Sequence, residues 1–266
     1  MLNINDKHVK MIVEWMRKQV KKRDADGAIV GLSGGVDSSV VGGLVKKAFK
    51  DNSLGVMLPS SGTITKDVKY AQKAANRFDL DTIKVNVKNV YDEFVKTFED
   101  INIKDVERNY WPQTHIPTDN PQYQNISTRL RMMSLYHIAE RMNYVVMGTS
   151  NKSEILTGYF TLYGDGATDM RPIGGLYKTE VWDLAEYIKV PEKIVDRPPS
   201  GGCRGDETDR DEYEFGIDYQ TFDQIHEAMI KNKPLDGFDD DDIKRVKELI
   251  EAADKKSKIP TLKVNR

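Results

Sequence analysis

Residues 28–39 of this 266-residue chain read Ala-Ile-Val-Gly-Leu-Ser-Gly-Gly-Val-Asp-Ser-Ser. The first part, Ala28 to Leu32, is short, apolar and rich in β-branched residues, which is typical of a buried strand. The serines and glycines that follow favour a tight turn, and the sequence from there to Phe49 is helix-like. This stretch therefore predicts a strand, a glycine-rich turn and a helix in succession.

The alternation of strand and helix continues along the chain. Further strands are predicted near Leu54–Leu58, Thr82–Val87 and Tyr144–Met147, with helices over Thr65–Phe78 and Asn125–Arg141. Short, almost continuously apolar strands between helices indicate a parallel sheet that is covered on both faces. We therefore predict a doubly wound α/β domain in which the turn after the first strand, residues 33–39, lies at the switch point of the strand order.

Helical periodicity also marks both ends of the chain. Apolar residues at helical spacing predict an amphipathic helix over Lys7–Lys22, with Asn5 or Asp6 as its cap, and a second helix after the acidic cap Asp239–Asp242. Three polar stretches that contain Pro or Gly are predicted to be irregular. They are residues 102–123, 159–177 and 197–215.

Composition excludes several classes of protein. The 40 basic and 42 acidic side chains give a formal charge of -2, so no overall field attracts nucleic acid or an anionic membrane. No apolar stretch approaches the ~20 residues that span a bilayer, and we expect a cytoplasmic protein without nucleic-acid or membrane partners. Cys203 is the only cysteine, so the chain has no internal disulfide and no Cys-x-x-Cys site.

The glycine-rich turn has the chemistry of a phosphate cradle. Gly34 and Gly35 let backbone amides approach an anion closely, and the following helix contributes the positive end of its dipole. Asp37 within this cradle has two interpretations: a magnesium ligand beside phosphate, or a carboxylate that only caps the helix. The turn is neither a Walker P-loop nor a Gly-x-Gly-x-x-Gly fingerprint.

The sequence from Ser33 to Ser38 resembles the pyrophosphate-binding loop of the N-type ATP pyrophosphatases, which cleave ATP between its α and β phosphates. Later segments, in the same order along the chain, resemble the NAD synthetases of that superfamily. These segments are Asn125–Met132, Gly148–Glu154, Thr161–Asp169 and Pro172–Thr179. The resemblance covers nearly the whole chain and implies one NAD synthetase domain over residues 1–266 with an adenine-nucleotide α-hydrolase-like fold.

The resemblance also implies roles for individual residues. ATP contacts fall on Gly31, Leu32, Ser33, Gly34, Gly35, Val36, Asp37, Ser38, Thr149, Lys178 and Ser200. Magnesium ligands fall on Asp37 and Glu154. Contacts with deamido-NAD fall on Arg129, Leu162, Asp169, Lys255 and Lys256. Asp37, Lys178 and Asp169 are the candidate catalytic residues, with Asp169 one conceivable base, whereas we expect Arg131 to be structural.

Two departures from the family pattern concern the substrate. Leu162 stands where many members carry Lys, and Lys255 replaces the His of a common His-Lys pair. The implied reaction is amidation of deamido-NAD with free ammonia, through an adenylate, in a homodimer that uses ATP and magnesium. Two alternatives stay open: an amide ligase of this superfamily that acts on a different carboxylic acid, and a nucleotide-binding protein without catalysis. The single cysteine argues against the tRNA thiolases of the same superfamily.

Overall fold

The computed structural model describes residues 1–60, 65–99, 121–199 and 211–257, with the backbone alone at 99 and 121–123. The strands are β1 (Gly27–Gly31), β2 (Ser53–Met57), β3 (Thr82–Lys84) and β4 (Tyr144–Met147). The helices are α1 (Asp6–Lys21), α2 (Val36–Phe49), α3 (Thr65–Phe78), α4 (Lys88–Glu99), α5 (Pro121–Met142), α6 (Lys152–Thr157), α7 (Lys178–Tyr187), α8 (Glu192–Val195), α9 (Asp211–Phe215), α10 (Tyr219–Ile230) and α11 (Asp240–Ser257).

The four strands form one parallel sheet in the order β3-β2-β1-β4. Ile29 of β1 lies between Leu54 of β2 and Val146 of β4. The chain moves outward from β1 through β2 to β3 and then returns to the other side of β1 for β4. The turn after β1 therefore lies at the switch point, as the sequence predicted, where the carboxyl ends of β1 and β4 border a crevice.

Both faces of the sheet are buried. Ala28 and Val30 contribute to a core under α1, α2, α3 and α7, whereas Ile29 contributes to a second core against α5. This division follows from the strand period of two, which sends successive side chains to opposite faces. The prediction of a parallel sheet with helices on both faces is confirmed.

A third cluster of buried residues lies among α9, α10 and α11. Trp182 of α7 packs against both this cluster and the core under α2. The cluster thereby brings α10 against α6 and α7, the two short helices that begin beside the crevice.

Element boundaries differ from the prediction in a few places. Asn5 caps α1 by accepting the amide of Lys7 at 3.1 Å, which settles the choice between Asn5 and Asp6. β3 ends at Lys84, earlier than predicted, because Val87 turns into the second core just before α4. Much of the irregular stretches 102–123 and 197–215 lies outside the described residues. Within the described ranges, no helix combines the length and apolar character needed to cross a bilayer.

Candidate active site

The glycine-rich turn after β1 adopts a conformation that requires glycine at one position. Gly34 has φ +89°, in the left-handed region, and a Cβ there would overlap the backbone carbonyl of Asp67 at the start of α3. An L side chain at position 34 would therefore be both strained and sterically blocked. The missing side chain lets α3 pack directly on the turn.

Serine hydroxyls hold the turn in shape. Ser33 Oγ accepts the amide of Gly35 at 3.2 Å and lies 3.0 Å from Ser38 Oγ. Ser38 and Ser39 both donate to the carbonyl of Gly35, at 3.1 and 2.8 Å. Gly35 is the N-cap of α2 and makes no side-chain capping bond, so the first turn of α2 keeps amides available for an anion.

Asp37, in the first turn of α2, reaches across to two other elements. Its Oδ1 accepts Nδ2 of Asn151 at 2.9 Å, and its Oδ2 accepts the ammonium of Lys178 at 2.5 Å. Asn151 follows β4 and caps α6, while Lys178 begins α7. The alternative that Asp37 merely caps its own helix is therefore wrong, because both of its oxygens bind side chains from elsewhere in the fold.

Glu154 completes the cluster from the first turn of α6. Its amide donates to Asn151 Oδ1 at 2.9 Å, its Oε2 accepts the amide of Asn151 at 3.3 Å, and its Oε1 lies 3.5 Å from Lys178 Nζ. Burial, reinforced by the charge of Asp37, raises the pKa of Glu154. Although burial opposes its charge, the carboxylates of Asp37 and Glu154 raise the pKa of Lys178. Lys178 is thus a buried ammonium held between two carboxylates.

The carboxylate pair fits a magnesium ion in its donor chemistry. Asp37 and Glu154 already hold one cation, the ammonium of Lys178, between them. Among the described residues, no group of three or more His, Cys, Asp or Glu side chains could hold a metal ion. Magnesium bound with nucleotide phosphates commonly takes only one or two protein carboxylates, so two are sufficient here.

These groups face a cavity of about 590 Å³ at the carboxyl ends of β1, β2 and β4. Such a volume lies within the usual range for small-molecule sites. Most of the predicted ATP and metal residues line it, together with one of the two predicted tail lysines. They are Gly31, Leu32, Ser33, Gly35, Val36, Asp37, Ser38, Thr149, Glu154, Lys178 and Lys256.

The other predicted residues lie elsewhere. The carboxylate of Asp169 accepts the amide of Val146 at 2.7 Å, at the outer edge of β4, and does not line the cavity. Lys255 pairs with Glu251 at 2.7 Å on the exposed face of α11. Arg129 and Leu162 contact each other through the Arg129 side chain and the Leu162 carbonyl, at 3.3 Å, outside the cavity lining. Ser200 lies outside the described residues.

Lys256, near the end of α11, lines the cavity beside the loop that follows α6. Its ammonium donates to the carbonyls of Gly158 at 2.8 Å and Phe160 at 2.5 Å. It also lies 4.9 Å from the centroid of the Phe160 ring. Burial lowers the pKa of Lys256, with Asp165 opposing the shift. The end of α11 is thereby joined to the loop that follows α6.

Four side chains in or beside the cavity were not assigned a site role from the sequence. Arg131, expected to be structural, lines the cavity, and its Nε donates to the carbonyl of Leu58 at 3.1 Å. Arg197 lines it too and pairs with Asp67 at 2.5 Å. Asn151 joins Asp37 to Glu154, and its spacing from Glu154 is that of a capping box, a signal visible in the sequence.

Asp211, the fourth of these residues, is a buried carboxylate at the cavity wall. Its Oδ2 accepts the hydroxyl of Tyr219 at 2.9 Å, whereas its buried Oδ1 has no hydrogen-bond partner within the described part of the chain. Burial raises the pKa of Asp211 to about 6, although Lys178 opposes the shift. The only sequence signal for Asp211 is the run of acidic residues around it, which includes Asp209, Glu212 and Glu214.

Comparison with known proteins gives matches over most of the chain. Residues 8–260 match the family model described as NAD synthase. The NH(3)-dependent NAD(+) synthetase of Carboxydothermus hydrogenoformans is 40% identical over 212 residues, which cover 80% of this chain and 81% of that protein. The NMN synthetase structure from Francisella tularensis superposes with TM-score 0.80 at 27% identity and 97% coverage of both chains.

A second solved structure has the same architecture. It is the NH3-dependent NAD synthetase from Campylobacter jejuni, in complex with the nitrate ion, with TM-score 0.76, 27% identity and coverage of 97% of this chain and 98% of that one. The parallel sheet and flanking helices described above are therefore those of the adenine-nucleotide α-hydrolase-like fold that the sequence predicted.

Proposed function

The chain belongs to the NAD synthase family, and we propose that it is the ligase that amidates deamido-NAD to NAD with ammonia and ATP. The products besides NAD are AMP and pyrophosphate. The observation that carries the proposal is the cavity in which a glycine-rich turn, two carboxylates and the buried ammonium of Lys178 meet. The turn amides and the ammonium of Lys178 are positive groups that can face the phosphates of ATP, and the two carboxylates can hold a divalent cation beside them.

ATP is held, in this proposal, by the turn and by the helix starts around it. The first-turn amides of α2 bind pyrophosphate oxygens, and the ammonium of Lys178 moves from Asp37 toward the phosphates. The ATP contacts are Gly31, Leu32, Ser33, Gly34, Gly35, Val36, Asp37, Ser38, Thr149, Lys178 and Ser200. Of those that the structure describes, all except Gly34 line the cavity, and Gly34 lets α3 pack on the turn.

Asp37 and Glu154 are the residues that we propose as ligands for magnesium. The support is their shared hold on one cation and their position beside the turn. When bound, the ion would neutralise negative charge on the phosphates. Asn151 keeps both carboxylates in place through its bonds to Asp37 and to the backbone and side chain of Glu154.

The proposed reaction has two steps. A carboxylate oxygen of deamido-NAD attacks the α phosphorus of ATP, and the bond between that phosphorus and the bridging oxygen breaks to release pyrophosphate. Ammonia then attacks the acyl carbon of the adenylate, the bond to the AMP oxygen breaks, and the nitrogen loses a proton. The turn amides and Lys178 stabilise the developing charge of the first step, and positioning of both substrates in one cavity supplies much of the rest.

We propose five residues as contacts for deamido-NAD. Lys256 lines the cavity and brings positive charge to it. The remaining residues, Arg129, Leu162, Asp169 and Lys255, lie outside the cavity lining of a single chain. A carboxylate that binds the Val146 amide is a poor candidate for a mobile base, so the support for Asp169 in catalysis is weaker than that for Asp37 and Lys178.

We also propose that the protein is a homodimer whose second copy covers the exposed apolar face of α4 and α5. Val90, Phe94 and Phe98 recur every four residues along α4 and are 57%, 42% and 51% exposed, and Met133 of α5 is 62% exposed. Large apolar side chains at one helical spacing typically mark an interaction surface.

Phe94→Glu should yield a monomer in analytical ultracentrifugation, whereas Tyr213→Glu, at an exposed aromatic residue outside this face, should not.

The proposal extends to organisation and location. We treat residues 1–266 as one domain, supported by Trp182, which joins the α9–α11 cluster to the main core. A cytoplasmic location is proposed because the substrates are nucleotides.

Two observations favour a second substrate. The Francisella tularensis neighbour is named as an NMN synthetase, and Leu162 removes a lysine that the NAD synthetase pattern commonly carries. A mononucleotide acid is therefore the specific form of the alternative amide ligase.

AMP formation with ATP, magnesium and ammonium separates these functions. We expect release that depends on deamido-NAD, with the mononucleotide acid at least tenfold poorer in kcat/KM. The opposite preference would establish the alternative ligase. Tight ATP binding without turnover on either acid would indicate a nucleotide-binding protein and overturn the proposal.

A further inference from the structure

Asp223 of α10 is a completely buried carboxylate that lies outside the cavity lining. Its Oδ1 accepts the hydroxyl of Ser153 at 2.5 Å. Its Oδ2 accepts the backbone amide of Thr179 at 3.1 Å and the hydroxyl of Thr179 at 2.9 Å. Three donors from two other helices therefore converge on one side chain.

The partners of Asp223 are sequence neighbours of the cavity residues. Ser153 directly precedes Glu154 in the first turn of α6, and Thr179 directly follows Lys178 in the first turn of α7. The two helices are further joined because Ser153 Oγ accepts the backbone amide of Lys178 at 2.9 Å. Asp223 thus ties together the starts of the helices that carry Glu154 and Lys178.

This arrangement is a specific way to join helices. An isolated buried carboxylate is strongly unfavourable, and this one is stabilised by hydrogen bonds and by the positive ends of α6 and α7. Apolar contact could hold the helices together without that penalty, but it would not fix their rotation and separation as directional bonds do. What the bonds fix is the geometry in which Lys178 Nζ lies 3.5 Å from Glu154 and 2.5 Å from Asp37.

We propose that Asp223 is a positioning residue for the ATP site, which sets the placement of Lys178 relative to Glu154. This inference rests on the proposed function, in which Lys178 binds phosphate and Glu154 binds magnesium. Asp223 itself touches no substrate. Its effect is transmitted through Ser153 and Thr179, each one residue away from a group that faces the cavity. Residues of this kind around metal sites commonly change affinity or activity about 10–100-fold when they are altered.

Asp223→Asn is the first test, because it preserves volume while removing one acceptor. The new Nδ2 must face either Ser153 or Thr179. The hydrogen bonds with that residue are then lost or reversed in direction. We expect kcat to fall at least tenfold and ATP affinity, measured by calorimetry, to fall at least fivefold. Ile225→Val, a buried change on the same helix, is the matched control and should lower the melting temperature without either loss.

Thr179 provides a second test that leaves the buried carboxylate in place. Thr179→Val removes only the hydroxyl bond to Asp223 and should lower kcat and ATP affinity partially. Thr179→Ser keeps the hydroxyl and should have kcat and ATP affinity close to those of the wild type. A purely structural role would give activity losses that follow the melting temperature in all four variants.

Wild-type kcat and ATP affinity in both Asp223→Asn and Thr179→Val would overturn the inference. Should Asp223→Asn fail to fold, the comparison of Thr179→Val with Thr179→Ser decides it. A wild-type protein that turns over no acid would refute the proposed function alone. In that case ATP affinity in the same variants still decides whether Asp223 positions the site.

Discussion

The ammonium nitrogen of Lys178 lies 2.5 Å from Oδ2 of Asp37, although 141 residues separate the two in sequence. Both side chains are largely buried, with 3% and 15% of their surface exposed. The proposed phosphate-binding cation thus neutralises the proposed metal ligand. Binding of ATP with magnesium would replace this ion pair by two new ones, lysine with phosphate and carboxylate with metal. Lys178 and Asp37 would each keep an opposite charge beside them.

Removal of this buried cation should destabilise the protein. In Lys178→Met, Asp37 loses its buried cationic partner, and breaking a buried ion pair from one side typically costs about 3–5 kcal/mol. Urea unfolding at pH 7.5 measures the loss. Saturating magnesium without nucleotide should recover part of it, because the two carboxylates are then free to bind a divalent ion. Lys255→Met, which breaks only an exposed pair with Glu251, should leave the unfolding midpoint unchanged. An unaltered midpoint in Lys178→Met would contradict the buried ion pair.

Asp37→Asn should remove turnover and also lower the free energy of unfolding, because the buried ammonium of Lys178 keeps only Glu154 as an ionic partner. Asn can still accept the Asn151 amide, but the charge that faces magnesium is lost. We expect kcat to fall by about 100-fold or more, in line with the loss of one charged group from a preorganised site. AMP formation across a magnesium titration is the measurement. Asp6→Asn, at an exposed carboxylate of α1, is the control and should behave as wild type. Magnesium-dependent turnover at the wild-type rate would remove Asp37 from the metal site.

The raised pKa of Asp211 predicts that Asp211→Asn increases the free energy of unfolding, and that this increase depends on pH. Burial raises this pKa from 3.8 to about 6, so between those pH values the folded protein holds a proton that the unfolded chain has lost. The free energy of unfolding therefore falls as pH rises through this window, by up to about 3 kcal/mol. Asp211→Asn removes the penalty and should be more stable than wild type at pH 7.5 but not near pH 4. Urea unfolding at both pH values tests this, and a constant difference between the two proteins would refute it.

Gly34→Ala should disturb the turn itself. The residue has φ +89°, and an added Cβ would overlap the carbonyl of Asp67, so strain of about 1–3 kcal/mol is expected together with weaker ATP binding. Gly175→Ala is the matched control, because a Cβ there meets nothing within 4 Å. Melting temperature and ATP affinity should fall in the first variant and stay constant in the second. Equal behaviour of the two would mean that the turn tolerates a side chain.

Much of the fold could be predicted because its signals are local. The apolar runs, the glycine-rich turn and the helical periodicities each depend on residues within a few positions of one another, and all four strands were located to within a few residues. Arg129 and Arg131 show where prediction from local sequence patterns fails. Two residues apart on α5, they differ by about 200° around the helix axis, and only packing against the sheet decides that Arg131 is the one that lines the cavity.

The glycine-rich turn and the parallel α/β architecture were determined by local residue pattern, and the proposed ATP contacts follow from the resemblance of that pattern to a known family. The steric and hydrogen-bonding demands of a phosphate-binding turn restrict which residues are allowed at successive positions. That restriction can be recognised in the sequence alone. The meeting of Asp37, Glu154 and Lys178, the bridge that Asn151 makes, the tie through Asp223 and the burial of Asp211 were decided only by the tertiary structure. Each depends on how α2, α6, α7, α9 and α10 pack at one edge of the sheet, and electrostatic coupling is set by separation and burial in space rather than by separation along the chain.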